Sequence, residues 1–221
     1  MFRVTGGSKS SVSGRVKIMQ RWFPFLVAGL VAAVALPVGL RAQSDADIAK
    51  VVKLNEEGAK KFVAMVSKIT DEQWDYRVNG IRHTLGEEIE HVALSENDLQ
   101  RAVERAMKTE PKPGQEDASK IEEMREFLLG GENLAENFKP MNKIVNRSEY
   151  EEFFGPAHAR LIKLIRANPN PSNHFYKTGK FGPLSAYQLY HYIAFHRERH
   201  MRQMEALLSH PDMPGARSSA D

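Results

Sequence analysis

The stretch that decides the fold is SAYQLYHYIAFHRERHMRQMEALL, residues 185–208. Leu189, Ile193, His196, His200, Met204 and Leu207 recur at steps of three or four, which makes one stripe of a helix over about 185–209. Ser185 with Gln188 opens that helix as a capping box, and His210-Pro211 closes it. Two neighbouring stripe positions are histidine. Spaced four apart, they lie about 40° from each other and one turn apart on a single face. Burying each imidazole without a partner costs roughly 1–3 kcal/mol. A divalent metal offsets that cost, because neutral imidazole is a good ligand for Zn, Ni, Cu or Fe. The competing reading keeps both histidines as core residues satisfied by carboxylates and water.

Three more long amphipathic helices precede this one. The first spans about 45–69, with Ile48, Val52, Ala59, Phe62, Val66 and Ile69 on one stripe, Asn55 as its gap, and Ser44 or Asp45 as its cap. A connector over 70–83 holds Trp74 and Gly80. The second helix starts at the capping box Thr84–Glu87 and carries Leu85, Ile89, Val92, Glu96, Leu99 and Val103. It ends before Thr109–Gly114, a run with two prolines. Residues 117–129 read as a shorter helix, and 132–147 are ambiguous. Ser148 and Glu151 form a capping box for the third long helix, with Tyr150, Phe154, Ala157, Leu161 and Leu164 in register. Asn168-Pro169-Asn170-Pro171 stops it, and 172–183 reads as a loop. No run reads as a strand. The expected fold is all-α: an up-down four-helix bundle with a short extra helix between helices two and three.

A third metal ligand has to come from a neighbouring helix. His91, Glu87, Glu88 and Glu96 on helix two and His158 on helix three are the candidates. Glu96 lies near the centre of its stripe, whereas His91 lies roughly 120° away on the flank. Periodicity leaves the two in competition. The string His196–His200 is not the metalloprotease HExxH, because Arg197 stands where that motif has its glutamate. His191 falls almost opposite the pair. His83, His174 and His210 fall in loops, where solvation is expected.

The charge is uneven along the chain. Residues 1–42 hold six basic side chains and no acidic one, so residues 43–221 carry 25 basic against 28 acidic. The body therefore lacks the basic excess that nucleic-acid binding needs. The absence of cysteine excludes disulfides, thiolate-bound zinc, iron–sulfur clusters and cysteine nucleophiles. Residues 1–21 are polar and basic, 22–40 are uncharged, and Ala42 precedes a polar start. That order describes a secretory signal peptide over 1–42 cut after Ala42, with an uncleaved membrane anchor as the alternative. Either way the domain over 43–210 is expected outside the cytoplasm, followed by a disordered tail over 211–221.

Trp74, the block TLGEEIEHVALSENDL (84–99) and the block FHRERHMRQMEAL (195–207) together resemble the DinB/YfiT-like superfamily. His91 matches that family's lone histidine of the second helix. His196 and His200 match its H-x-x-x-H pair, and Gln203 keeps the trailing glutamine. Met201-Arg202 stands in place of the usual Arg-Gly. The resemblance implies a metal site of His91, His196 and His200 with an open position, zinc or nickel being first among the ions. It decides His91 over Glu96 and leaves Glu96 as a candidate base or supporting residue. It further implies a homodimer, and either hydrolase-like or thiol-transferase-like chemistry on an unknown small molecule. A non-catalytic metal- or ligand-binding protein of the cell envelope is the alternative. A metal-free bundle, with the three histidines satisfied by Glu87, Glu88 and Glu96, is the third reading.

Overall fold

The computed structural model describes residues 43–130, 138–168 and 170–215. The proposed signal segment 1–42 and the end of the tail, 216–221, lie outside them. The elements run α1 (Asp45–Val66), α2 (Asp71–Asp75), α3 (Leu85–Ala106), α4 (Ser119–Leu129), α5 (Arg147–Ala167), a 3-10 turn at Pro171–Asn173, β1 (Phe175–Lys177), β2 (Pro183–Ser185) and α6 (Ala186–Leu208). The fold is an all-α bundle. No helix among the described residues is long and apolar enough to cross a membrane.

Local chemistry explains the helix starts. Ser44, Thr70, Thr84 and Ser185 each accept from the N3 backbone N–H, and each N3 side chain reaches back to the cap. α5 starts two residues earlier than the sequence implies. Its cap is Asn146, whose side chain accepts from Glu149 N, so the Ser148–Glu151 pair lies inside the helix. The connector 70–83 contains the five-residue α2. Its Trp74 lies against Gly86, where a Cβ would sit 2.2 Å from the indole Nε1. The loop 172–183 also contains structure that the sequence reading missed. Phe175, Tyr176 and Lys177 pair antiparallel with Ser185, Leu184 and Pro183. Strands of three residues are too short to alternate visibly. Residues 211–215, placed in the tail from the sequence, pack on: Met213 is buried and Pro214 O accepts from Gln73 Nε2 at 2.8 Å.

α1 and α3 each pack against both α5 and α6, so α5 and α6 sit on a diagonal of the four-helix ring. Two apolar clusters fill it. One holds Val51, Val52, Val103, Leu161, Ile165, Leu189 and Ile193. The other holds Phe62, Val66, Leu85, Ile89, Phe154, Met201 and Met204. α1 and α6 run from the first cluster to the second; α3 and α5 run the other way. The chain thus reverses between α1 and α3 and again between α5 and α6, while α3 and α5 point in the same sense. That is why the connection 107–146 is long: it must return along the length of the bundle. α4 packs on α6 during that return.

A polar layer lies between the two clusters. Arg197 is the largest fully buried side chain among the described residues. It donates from Nε to Glu96 on α3, which is 1% exposed, and from Nη1 to Asn55 O on α1 at 2.9 Å. Asn55, the gap in the α1 stripe, donates to Val51 O and Tyr190 O. Gly58 clears the space, since a Cβ there would meet Arg197 Nη1 at 2.9 Å. The Arg197 guanidinium therefore ties α6 to α3 by an ion pair and to α1 by a hydrogen bond at mid-height.

Candidate metal centre

His196 and His200 stack one turn apart on α6 within this layer, and both are buried. His91 on α3 is half-buried and reaches the same spot. Ring centroids lie 5.3 Å apart for His91–His196, 4.7 Å for His91–His200 and 4.5 Å for His196–His200. One ring nitrogen from each of the three can be chosen so that all lie within 4.8 Å of one another.

The hydrogen bonds fix one tautomer. Glu88 Oε2 lies 2.8 Å from His200 Nδ1. A carboxylate accepts, so Nδ1 carries the proton, and in the neutral ring Nε2 of His200 then keeps its lone pair. That Nε2 lies 3.3 Å from Nε2 of His196. A tetrahedral ion with metal–nitrogen bonds of about 2.0–2.1 Å sets its ligand nitrogens about 3.3–3.4 Å apart. The α6 pair already has that spacing, and the carboxylate behind His200 is the support such ligands ordinarily have. The donor set fits a divalent ion. Ser95 Oγ lies 3.4 Å from His91 Nδ1 on the outer side.

The returning connection covers this site. Phe138 is stacked between two imidazoles, 3.8 Å from the His83 ring and 4.1 Å from the His91 ring. Glu90, 3% exposed, holds the chain that follows: its carboxylate accepts from the backbone N–H of Met141 at 3.0 Å, of Lys143, and of Ile144 at 3.2 Å. The sequence alone assigns no role to 111–147. Within it, residues 138–145 are a strap across the His91 side. His83 was expected in solvent and is instead 2% exposed beneath this strap.

The DinB superfamily model matches residues 54–204. The chain belongs to the DinB superfamily. No curated protein and no solved structure matches it closely. The matched span takes in all three histidines of the centre in this DinB chain, His91, His196 and His200, together with Glu88 and Arg197.

The other candidates lie elsewhere. Glu96 is engaged by Arg197. Glu87 caps α3 and pairs with Arg77 at 2.8 Å. His158 on α5 stacks on Phe154 in a groove between α1 and α5. Glu88 was one of several possible third ligands; the structure makes it the partner of His200. Nothing local in the sequence marked Phe138, Glu90 or Arg197.

Two histidines outside the centre make stability depend on pH. Burial pushes the His191 imidazole down to about 4, and burial with the nearby Arg197 charge does the same to His158. Unfolded, both titrate near 6.5. Between about pH 6.5 and 4 the unfolded chain binds more protons, so stability falls as the pH falls through that window. The unfolding midpoint should drop between pH 7 and pH 4.5, and a His191→Gln variant should drop less. A midpoint of the variant that tracks the parent at every pH would refute the assignment to His191.

Proposed function

We propose that the chain is an exported metalloprotein in which His91, His196 and His200 hold one divalent ion, zinc or nickel, and which acts on a small molecule as a hydrolase- or transferase-like enzyme. The observation that carries the reading is the His196–His200 nitrogen spacing of 3.3 Å with Glu88 fixing the tautomer of His200. A bound ion supplies Lewis acidity. The protein's own residues orient and enclose it: Glu88 holds His200, Arg197 holds α6 in register, and Phe138 covers His91. Three protein ligands leave a position for substrate, as catalytic sites do. Export rests on the basic 1–21 segment and the uncharged 22–40 run.

A second reading, a non-catalytic metal-binding protein, is favoured by one observation. The buried carboxylates of α3 are all engaged: Glu88 by His200, Glu90 by the strap and Glu96 by Arg197. None is left as a general base.

Elemental analysis of the purified protein beside a His196→Ala/His200→Ala variant tests the centre. About one equivalent of metal in the parent and none in the variant is expected. No metal in either after incubation with zinc or nickel would sink both readings. Protein recovered from the cell envelope should begin at Gln43; a start at Met1 would leave the anchor reading. Turnover of small esters or amides by the loaded protein would separate enzyme from binder.

A further inference from the structure

The strap and His83 close the centre on the side toward the start of α3. Toward the end of α3 lies a cleft of about 570 Å³ between α3, the β1–β2 hairpin and α6. Tyr192 joins the two regions. It lines the cleft, and its ring lies 6.0 Å from that of His196, one turn further along α6. Four cations border the cleft, Arg101, Arg105, Lys177 and Lys180, against the single acid Asp98. This contrasts with the body as a whole, where acidic side chains outnumber basic ones. Arg105 is steadied by Tyr176 Oη at 3.3 Å, and Lys180 lies over the Phe127 ring. Tyr176, Tyr192 and Phe181 give the cleft aromatic walls.

We propose that this cleft binds the acid group, carboxylate or phosphate, of a small-molecule substrate whose reacting end lies at the three histidines. The role of the reacting end rests on the metal reading above; binding of the acid group does not. Tyr192 and His196 are separated by about 6 Å along α6, and Leu99 and His91 by about 12 Å along α3. The acid group and the reacting atom are therefore on the order of 10 Å apart. Cations gathered in a concave site focus their field on an entering anion, and arginine presents a fork that fits either acid group. A cleft of this size with four cations suits one small acid rather than a nucleic-acid backbone, which needs an extended basic track.

Calorimetric titration of the chelator-treated protein with inorganic phosphate and with succinate, at low ionic strength, tests the proposal. Without metal, no ion competes for the anion. An Arg101→Ala/Arg105→Ala variant removes two cleft cations. A Lys163→Ala/Arg166→Ala variant removes the same charge from α5, beside the other groove. At least one anion should bind the parent in the millimolar range. Its affinity should fall about tenfold in the cleft variant and stay unchanged in the α5 variant. Preference for phosphate would point to a phosphate ester, and preference for succinate to a carboxylate. Absence of binding, or equal losses in both variants, would overturn the proposal. A parallel aliquot that takes up no zinc while still binding the anion would remove the metal reading and keep the cleft.

Discussion

Replacing Arg197 by alanine is expected to lower the unfolding midpoint by roughly 10 °C. Its guanidinium is fully buried, and its partner Glu96 is 1% exposed. Removing one member of a buried ion pair leaves the other charge without compensation and costs about 3–5 kcal/mol. For a chain of this size each kcal/mol moves the midpoint by about 2–4 °C. The loss is one of charge balance more than of attraction. A double change, Arg197→Met with Glu96→Leu, should therefore recover much of what the single change loses. Thermal unfolding followed by circular dichroism reads both. A single variant within a degree of the parent would show that Glu96 finds other compensation, and a double variant worse than the single would show that the pair itself stabilises.

The second large effect concerns metal affinity. Glu88→Ala should weaken binding of the ion by about 10–100-fold while all three histidines remain. The carboxylate lies 2.8 Å from His200 Nδ1 and keeps the lone pair of Nε2 turned toward the centre. Without it the buried Nδ1–H has lost its acceptor and the ring can take the other tautomer. Glu88→Gln keeps an acceptor and loses the charge, so it should fall between parent and alanine variant. Competition against a chelator of known affinity measures all three. Equal affinities across the series would mean that Glu88 supports the fold and not the ion.

What the sequence made legible was local. The capping boxes at Thr84–Glu87 and Ser185–Gln188 put the starts of α3 and α6 where the structure has them, because cap and acceptor are three residues apart. The same logic misled at α5. Asn146–Glu149 and Ser148–Glu151 both match the pattern of a polar cap three residues before a glutamate, and the structure uses Asn146. His196 and His200 stood out because they interrupt an apolar stripe; His91 does not, and needed the family resemblance. The unread features join residues far apart in the chain. Glu90 reaches backbone more than fifty residues on, and Arg197 reaches Glu96 across 101. The common direction of α3 and α5 leaves no periodic signature either; its trace is the length of the connection between them.

The octapeptide Thr84–His91 has a consequence for how this chain can change. Thr84 caps, Leu85 and Ile89 fill the core, Gly86 admits Trp74, and Glu87 closes the cap. Glu88 holds His200, Glu90 holds the strap, and His91 faces the α6 pair. Every letter has a structural commitment, so a one-residue deletion would turn the residues on one side of it about 100° relative to those on the other. Mutational drift has no silent position there. The β1–β2 hairpin holds no part of the centre, so a laboratory that wished to redirect the protein would vary Lys177 and Lys180 at its cleft, keep Ser185 as the α6 cap, and leave the octapeptide untouched.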